Sequence, residues 1–390
     1  MRNKSLDILR CIAVALVMMC HANISPFFTR IGWVGVDLFF VLSGFLISGL
    51  LFGEWQRRHS IDFRKFLTRR GLKIYPAFYI YLLLTAITSH FWFHAVSTSN
   101  RYLHEVFFVQ NYEPGVWDHT WSLAVEEHFY IFLPIFLLVL VRFSASREDP
   151  FRVLPWAFPA IATMCIAFRA VSIYAGTPNF HMVYTATHER MDSLFFGVLL
   201  GYLHHFRPAL LGKLLQPIQN RLAIAAASAG LLSFAYFLPR ENRFFAIFGY
   251  SFVYVGFGGV LLLGLLVRDV LPGNISGIAS RVGSVFAFVG MYSYSIYLWH
   301  GPCEAWLPGL IRRTTGFPTG QVGRFTVYFA GSLIIGITLS RLIEYPVLRL
   351  RDKLFPDSRN AYPVNPSVVS TQIHASGATP SEGTLMARTG

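Results

Sequence analysis

Charge is what this sequence has least of. Of its 390 residues only 14% are Asp, Glu, Lys or Arg, against roughly 25% in an average soluble domain. A soluble fold of this length needs far more polar surface than that. Disorder is excluded too, because 54% of the chain is hydrophobic. Cysteine is equally sparse. Cys11, Cys20, Cys165 and Cys303 all fall in apolar stretches, with neither zinc spacing nor a secreted disulfide framework, and read as small apolar filler. No metal site is expected. Acidic residues number 20 against 33 Lys and Arg, a net charge of +13. In a soluble protein that balance suggests nucleic acid; here the placement of the charges accounts for it without one.

What the chain has in quantity is long apolar runs, and a bilayer span needs about 20 mainly apolar residues. Ten windows qualify: 6–25, 33–52, 72–93, 121–142, 154–175, 190–206, 220–238, 244–268, 284–304 and 325–345. The first has no small-residue cleavage site after it, and Arg10 interrupts it, so it reads as an uncleaved span. With the N-terminus inside, the inner segments carry 22 Lys and Arg and the outer ones 8. That asymmetry places both termini in the cytoplasm. The expectation is an all-α integral membrane protein of about ten transmembrane helices, with residues 1–350 forming the membrane domain. Residues 351–390, rich in Ser, Thr, Pro and Gly, form a disordered cytoplasmic tail. An outer segment, 94–120, is long enough for a short helix or a partial lid.

Ionisable groups inside a membrane cost about 2.5–3.5 kcal/mol each on insertion scales and need a reason. Arg10 and His21 are eleven residues apart in the first window. On a helix they return to within roughly 20° of one face, about 16 Å apart in depth. Asp37 lies one turn into the second window, Glu126, Glu127 and His128 open the fourth, and Asp192 opens the sixth. Tyr297 and His300 end the ninth, where Gly301-Pro302 is expected to break it. His21, Asp37, Glu126, Asp192 and His300 therefore reach one depth, and a shared outward-facing polar cavity is expected. At the inner side, Arg69, Arg70 and Lys73 stand at i, i+1 and i+4 and can face one anion together, although anionic lipid is a competing use. A basic inner mouth, a His-bearing helix and an outer carboxylate/His cavity suit the movement of either a group or an ion across the membrane.

These residues resemble the integral-membrane acyltransferase family 3, whose bacterial members acylate surface glycans and some secondary metabolites. The likeness runs from about Leu6 to Arg349. It is carried by the Arg10/His21 pair, VGVDLFFVLSGFLI (Val34–Ile47), RRGLKIYP (Arg69–Pro76) and TWSLAVEEHFY (Thr120–Tyr130), and continues in RMDSLFFG (Arg190–Gly197), YSYSIYLWHGP (Tyr292–Pro302) and EYP (Glu344–Pro346). The resemblance implies a multi-pass protein of the bacterial cytoplasmic (inner) membrane. Its donor would be cytosolic acyl-coenzyme A, acetyl-coenzyme A by default, used as a substrate with no permanently bound cofactor. Its acceptor would be a hydroxyl of a glycan or lipid-linked sugar. The essential histidine and its partner arginine map onto His21 and Arg10, the WSLxxE carboxylate onto Glu126, and the basic donor motif onto Arg69, Arg70 and Lys73. Lysine at the last of these positions, commonly arginine in the family, forgoes bidentate phosphate binding. Glu127 and His128 receive no role. Some relatives carry a fused extracytoplasmic esterase-like domain; about 45 residues after the last window are too few for one, so a separate partner enzyme is expected.

Acyl transfer to a hydroxyl needs a base and oxyanion donors. His21 is the expected base, with Glu126 or Asp37 orienting it or binding sugar, and Asp192, Tyr297 and His300 lining the acceptor site. Direct attack and a covalent intermediate, acyl-histidine among them, both fit. Ser43 reads as a small residue for close helix packing. The competing functions are acylation of a small molecule such as a macrolide, and a proton-coupled transporter.

Overall fold

The computed structural model describes residues 3–92, 98–270, 277–316 and 320–356, and among them the secondary structure is entirely helical. In chain order the helices are α1 (Lys4–His21), α2 (Pro26–Ile31), α3 (Gly35–Arg58), α4 (Phe63–Trp92), α5 (Ser99–Val106), α6 (Trp121–Phe143), α7 (Leu154–Tyr174) and α8 (Phe180–Thr185). There follow α9 (Thr187–Phe206), α10 (Pro208–Leu215), α11 (Ile218–Phe237), α12 (Tyr250–Val270), α13 (Gly277–Met291), α14 (Ser293–Thr315), α15 (Gln321–Leu339) and α16 (Tyr345–Leu354). The chain is an all-α integral membrane protein. Six of the described helical segments are long and apolar enough to cross a bilayer, or eight if each of two bent pairs makes one crossing. All ten expected windows fall on helices. α1 is outside that set because its 18 residues include Lys4, Asp7 and Arg10, and α11 because it opens on Gln219, Asn220 and Arg221.

Local chemistry explains several boundaries. Asn3 caps α1, its side chain accepting the Ser5 N–H at 3.0 Å. α3 runs to Arg58 and stops where His59 turns left-handed (φ 51°), its N–H closing on the Trp55 carbonyl at 2.8 Å. α4 begins nine residues before the expected window, so the basic stretch with Arg69, Arg70 and Lys73 forms its first turns. Pro76 inside α4, and Pro302 and Pro308 inside α14, leave those helices continuous, as neighbouring helices permit in a membrane. The expected break at Gly301-Pro302 is therefore absent. The ninth window bends instead at Tyr292, where α13 and α14 meet at 72°.

Small residues set the central contacts. A Cβ on Gly44 of α3 would lie 1.9 Å from the Leu194 carbonyl of α9, and one on Gly197 would lie 2.3 Å from the Val41 carbonyl. The two backbones are thus as close as helices come. α1 runs between α3, α12, α13 and α14. After Leu339 the helix widens into a π-turn over Ser340–Glu344 before α16. The expected domain boundary at 350/351 falls within α16, which packs on α4. Lys65 Nζ donates to the Pro356 carbonyl at 2.9 Å, and Arg69 bonds Asp352 at 3.3 Å and the Phe355 carbonyl. Residues 357–390 of the expected tail lie outside the described residues.

Candidate active site

At the end of the bundle that holds the start of α1, a cavity of about 1080 Å³ opens among α3, α4, α9, α10 and α16. Its walls carry Arg57, Lys65, Arg69, Arg70, Lys73, Arg221 and Arg351 against the carboxylates of Glu54 and Asp352. Arg69, Arg70 and Lys73 thus share one space, as their spacing on α4 predicts. Such a wall selects for an anion with several charges. Arg70 and Lys73 also face a second, deeper cavity of about 340 Å³, so the two spaces share a wall.

The deeper cavity mixes charge and apolar surface. Arg10, Arg70 and Lys73 stand beside Glu126 and Glu344, among Val36, Phe39, Phe40 and Leu42. One chain of contacts organises this wall. The Arg70 guanidinium lies 4.3 Å from the centre of the Tyr130 ring, the Tyr130 hydroxyl donates to the Glu126 carboxylate, and Ser43 Oγ is 2.8 Å from that hydroxyl. Arg70 Nε and Glu344 Oε1 are buried with no hydrogen-bond partner, polar atoms that a bound ligand would satisfy. At the far end Tyr297 and Ser122 face the cavity, their hydroxyls 2.6 Å apart. Arg10 also bonds Asp7 at 3.0 Å.

His21 stands outside both cavities, at the opposite end of α1 and exposed. Its Nδ1 meets the Val17 carbonyl at 2.9 Å, so that nitrogen carries the proton and Nε2 is left as a base. Its ring packs edge-on against His300, centroids 5.0 Å apart, and His300 in turn packs on Tyr297 at 5.3 Å. One layer of side chains therefore separates His21 from the deeper cavity.

The five polar groups expected to share an outward-facing cavity fall into three sets. His21 and His300 are together. Glu126 faces the basic end, with Arg10, Arg70 and Lys73. Asp37 and Asp192 line neither cavity: Arg190 bonds Asp37 at 2.7 Å and Arg169 bonds Asp192, with all four side chains 0–1% exposed. Their helices bring the right depth, but the arginines of α7 and α9 meet them first. The residues without an assigned role are cross-links: Tyr75 donates to Glu127, and His128 Nδ1 contacts Thr187 Oγ1 at 2.7 Å.

Sequence reasoning passed over Glu344, Tyr130, Ser122, Tyr294 and the cavity-facing role of Ser43. The signal was present for most of them. Glu344 sits in EYP, Ser122 and Tyr130 in TWSLAVEEHFY, and Tyr294 in YSYSIYLWHGP, but no spacing rule distinguishes a cavity face from a packing face before helix rotation is known. The segment 94–120 holds α5 and a short 3₁₀ turn at Asp118–Thr120. Glu105, fully buried there, accepts the N–H groups of Val116 and Trp117 at 3.1 Å and the Thr120 hydroxyl at 2.9 Å. Burial outweighs these donors and pushes its carboxyl up to about 7. Among the described residues no group of three His, Cys, Asp or Glu side chains is placed to hold a metal.

Residues 3–341 match the model of the acyltransferase domain family. The chain is 27% identical over 365 residues to the peptidoglycan O-acetyltransferase OatA of Listeria monocytogenes, covering 88% of this chain and 55% of that protein. It is 26% identical over 380 residues to the O-acetyltransferase OatA of Staphylococcus aureus, covering 90% and 58%. The chain thus spans just over half the length of these curated relatives. No solved structure matches it.

Proposed function

The chain belongs to the acyltransferase family whose model covers residues 3–341, and from that membership we propose that it is a membrane O-acyltransferase of the bacterial inner membrane. It moves an acyl group, acetyl in the first instance, from acyl-coenzyme A to a hydroxyl of a surface or exported glycan. The supporting observation is the wall shared by the two cavities. Arg70 and Lys73 face both the wide basic space and the narrow one, which leads to Tyr297.

On this reading the wide cavity takes the nucleotide and phosphates of the donor, a fit of both volume and charge. The pantetheine arm passes Arg70 and Lys73, and the thioester reaches the narrow cavity, whose apolar side excludes water from the acyl chain. The basic end then faces the cytosol. Developing charge on the thioester oxygen is met by the hydroxyls of Tyr297 and Ser122 at the far end. The acceptor hydroxyl arrives from the opposite side, where His21 Nε2 is the base. Arg10 and Glu126 place charge along the arm. The relatives' names point to peptidoglycan as the first acceptor to test.

The test is the O-acyl content of the wall glycan, read by NMR in wild type, a deletion, and a His21→Ala strain with equal protein level. Loss of one ester signal in both mutants is expected. A deletion that leaves every ester in place would overturn the reading. Titration of the purified protein with acetyl-coenzyme A checks the donor side separately, binding being expected in wild type and strongly weakened in Arg70→Ala.

A further inference from the structure

His21 is not alone. His300 and His119, from the 3₁₀ turn before α6, continue the stack inward, with centroids 5.0 Å apart for His21 and His300 and 4.5 Å for His300 and His119. Each ring turns one nitrogen to a backbone carbonyl: His21 Nδ1 to Val17 at 2.9 Å, His300 Nδ1 to Tyr297, and His119 Nε2 to Leu298 at 3.1 Å. A carbonyl only accepts, so those nitrogens carry the protons and each ring keeps one basic nitrogen. These are His21 Nε2, His300 Nε2 and His119 Nδ1. His300 Nε2 is buried with no partner. An orphaned acceptor beside two further basic rings is costly unless a proton or a hydroxyl visits it. His119 is held by Tyr297, whose hydroxyl donates to its carbonyl at 2.6 Å, and by Gly301, where any Cβ would lie 2.6 Å from its Nδ1. Tyr297 in turn faces the deeper cavity beside Ser122.

Resting on the acyl-transfer reading above, we propose that His300 and His119 are relay residues that carry the acceptor's proton from His21 past Tyr297 and Ser122 into the donor cavity. The balance of the reaction calls for such a path. The acceptor O–H bond breaks and an ester C–O bond forms at one end, while the thioester C–S bond breaks at the other. The coenzyme A thiolate must then gain a proton on the side from which the acyl group left. The relay returns that proton inward, so transfer releases none to the acceptor side. It acts through His21 and touches neither substrate.

Proteoliposomes supply the test, with a pH dye and ester-stripped fragments of the cell's own wall glycan in the lumen and acetyl-coenzyme A outside. For wild type we expect thiol release without acidification of the lumen. Release of one proton into the lumen per thiol formed would overturn the relay while leaving the acyltransferase intact; no thiol release from wild type would overturn both. The variants His119→Gln, His300→Gln and Tyr297→Phe should slow turnover on the order of tenfold to a hundredfold, part of what proton transfer commonly contributes. Their affinity for acetyl-coenzyme A should stay within about twofold of wild type, since they leave the basic end untouched. Tyr297→Phe keeps the ring packing, so a wild-type rate in it together with a wild-type rate in His119→Gln would also refute the relay.

Discussion

Asp37 is the sharpest place to separate a substrate-binding carboxylate from one that holds the fold. In Asp37→Leu the volume is nearly kept, but Arg190 loses its only carboxylate bond, at 2.7 Å, while 1% exposed. Breaking a buried pair by removing one partner costs about 3–5 kcal/mol, and arginine cannot shed its charge. The guanidinium still lies 4.0 Å from the centre of the Tyr250 ring, a contact worth up to about 2 kcal/mol when desolvated. The expected cost is therefore in the lower part of the range, about 3 kcal/mol. At about 2 °C per kcal/mol, the figure for larger chains, detergent-solubilised protein should melt roughly 6 °C lower. The double variant Asp37→Leu/Arg190→Leu leaves no lone charge and should recover most of that loss, to within about 1 kcal/mol of wild type. Scanning fluorimetry reads both, with acetyl-coenzyme A binding measured beside it. If Asp37→Leu melts like wild type yet abolishes acylation, and the double variant stays inactive, the carboxylate serves the acceptor and the structural account is wrong.

Arg70→Ala should weaken acetyl-coenzyme A by roughly tenfold to a hundredfold, the worth of one or two charge-assisted bonds. Arg70→Lys should recover only part of this, because the planar stack on Tyr130 goes with the guanidinium; calorimetric titration distinguishes the two. Gly44→Leu would drive a side chain into the Leu194 carbonyl of α9, so we expect failure to accumulate in the membrane, visible by immunoblot. Glu105 provides a pH test. Its folded carboxyl titrates at about 7 against an ordinary 4.5, so the folded state holds the proton more tightly than the unfolded one. Stability should be greatest below about pH 4.5 and fall as pH rises towards 7. Glu105→Gln should flatten that slope in melting curves taken across the window, and an unchanged slope would contradict the assignment.

Much of the architecture is legible in the chain because hydropathy is a local property. Each expected window falls on a helix, and the cluster at Arg69, Arg70 and Lys73 is found on one wall because three positions on one helix need no partner to be compared. The misses share a cause. The ninth window was expected to end at Pro302, yet α14 runs through it and the bend lies at Tyr292, beside Gly290. There a Cβ would strike the Asp7 carbonyl of α1 at 1.8 Å. Close approach to a helix some 280 residues away in sequence sets that geometry, and proline chemistry does not report it.

By itself, then, the sequence determined the solvent, the helical content, the depth of each ionisable group and the basic end of the bundle, since all of these follow from composition and from rise per residue. Tertiary structure decided which groups of equal depth meet. Asp37 faces Arg190, 153 residues away; Glu126 turns towards Arg70 and Lys73; His21 finds His300 and, behind it, His119. Depth is written along one helix, but azimuth is a relation between helices, set where Gly44 and Gly197 let two backbones touch and buried charges seek the nearest opposite partner.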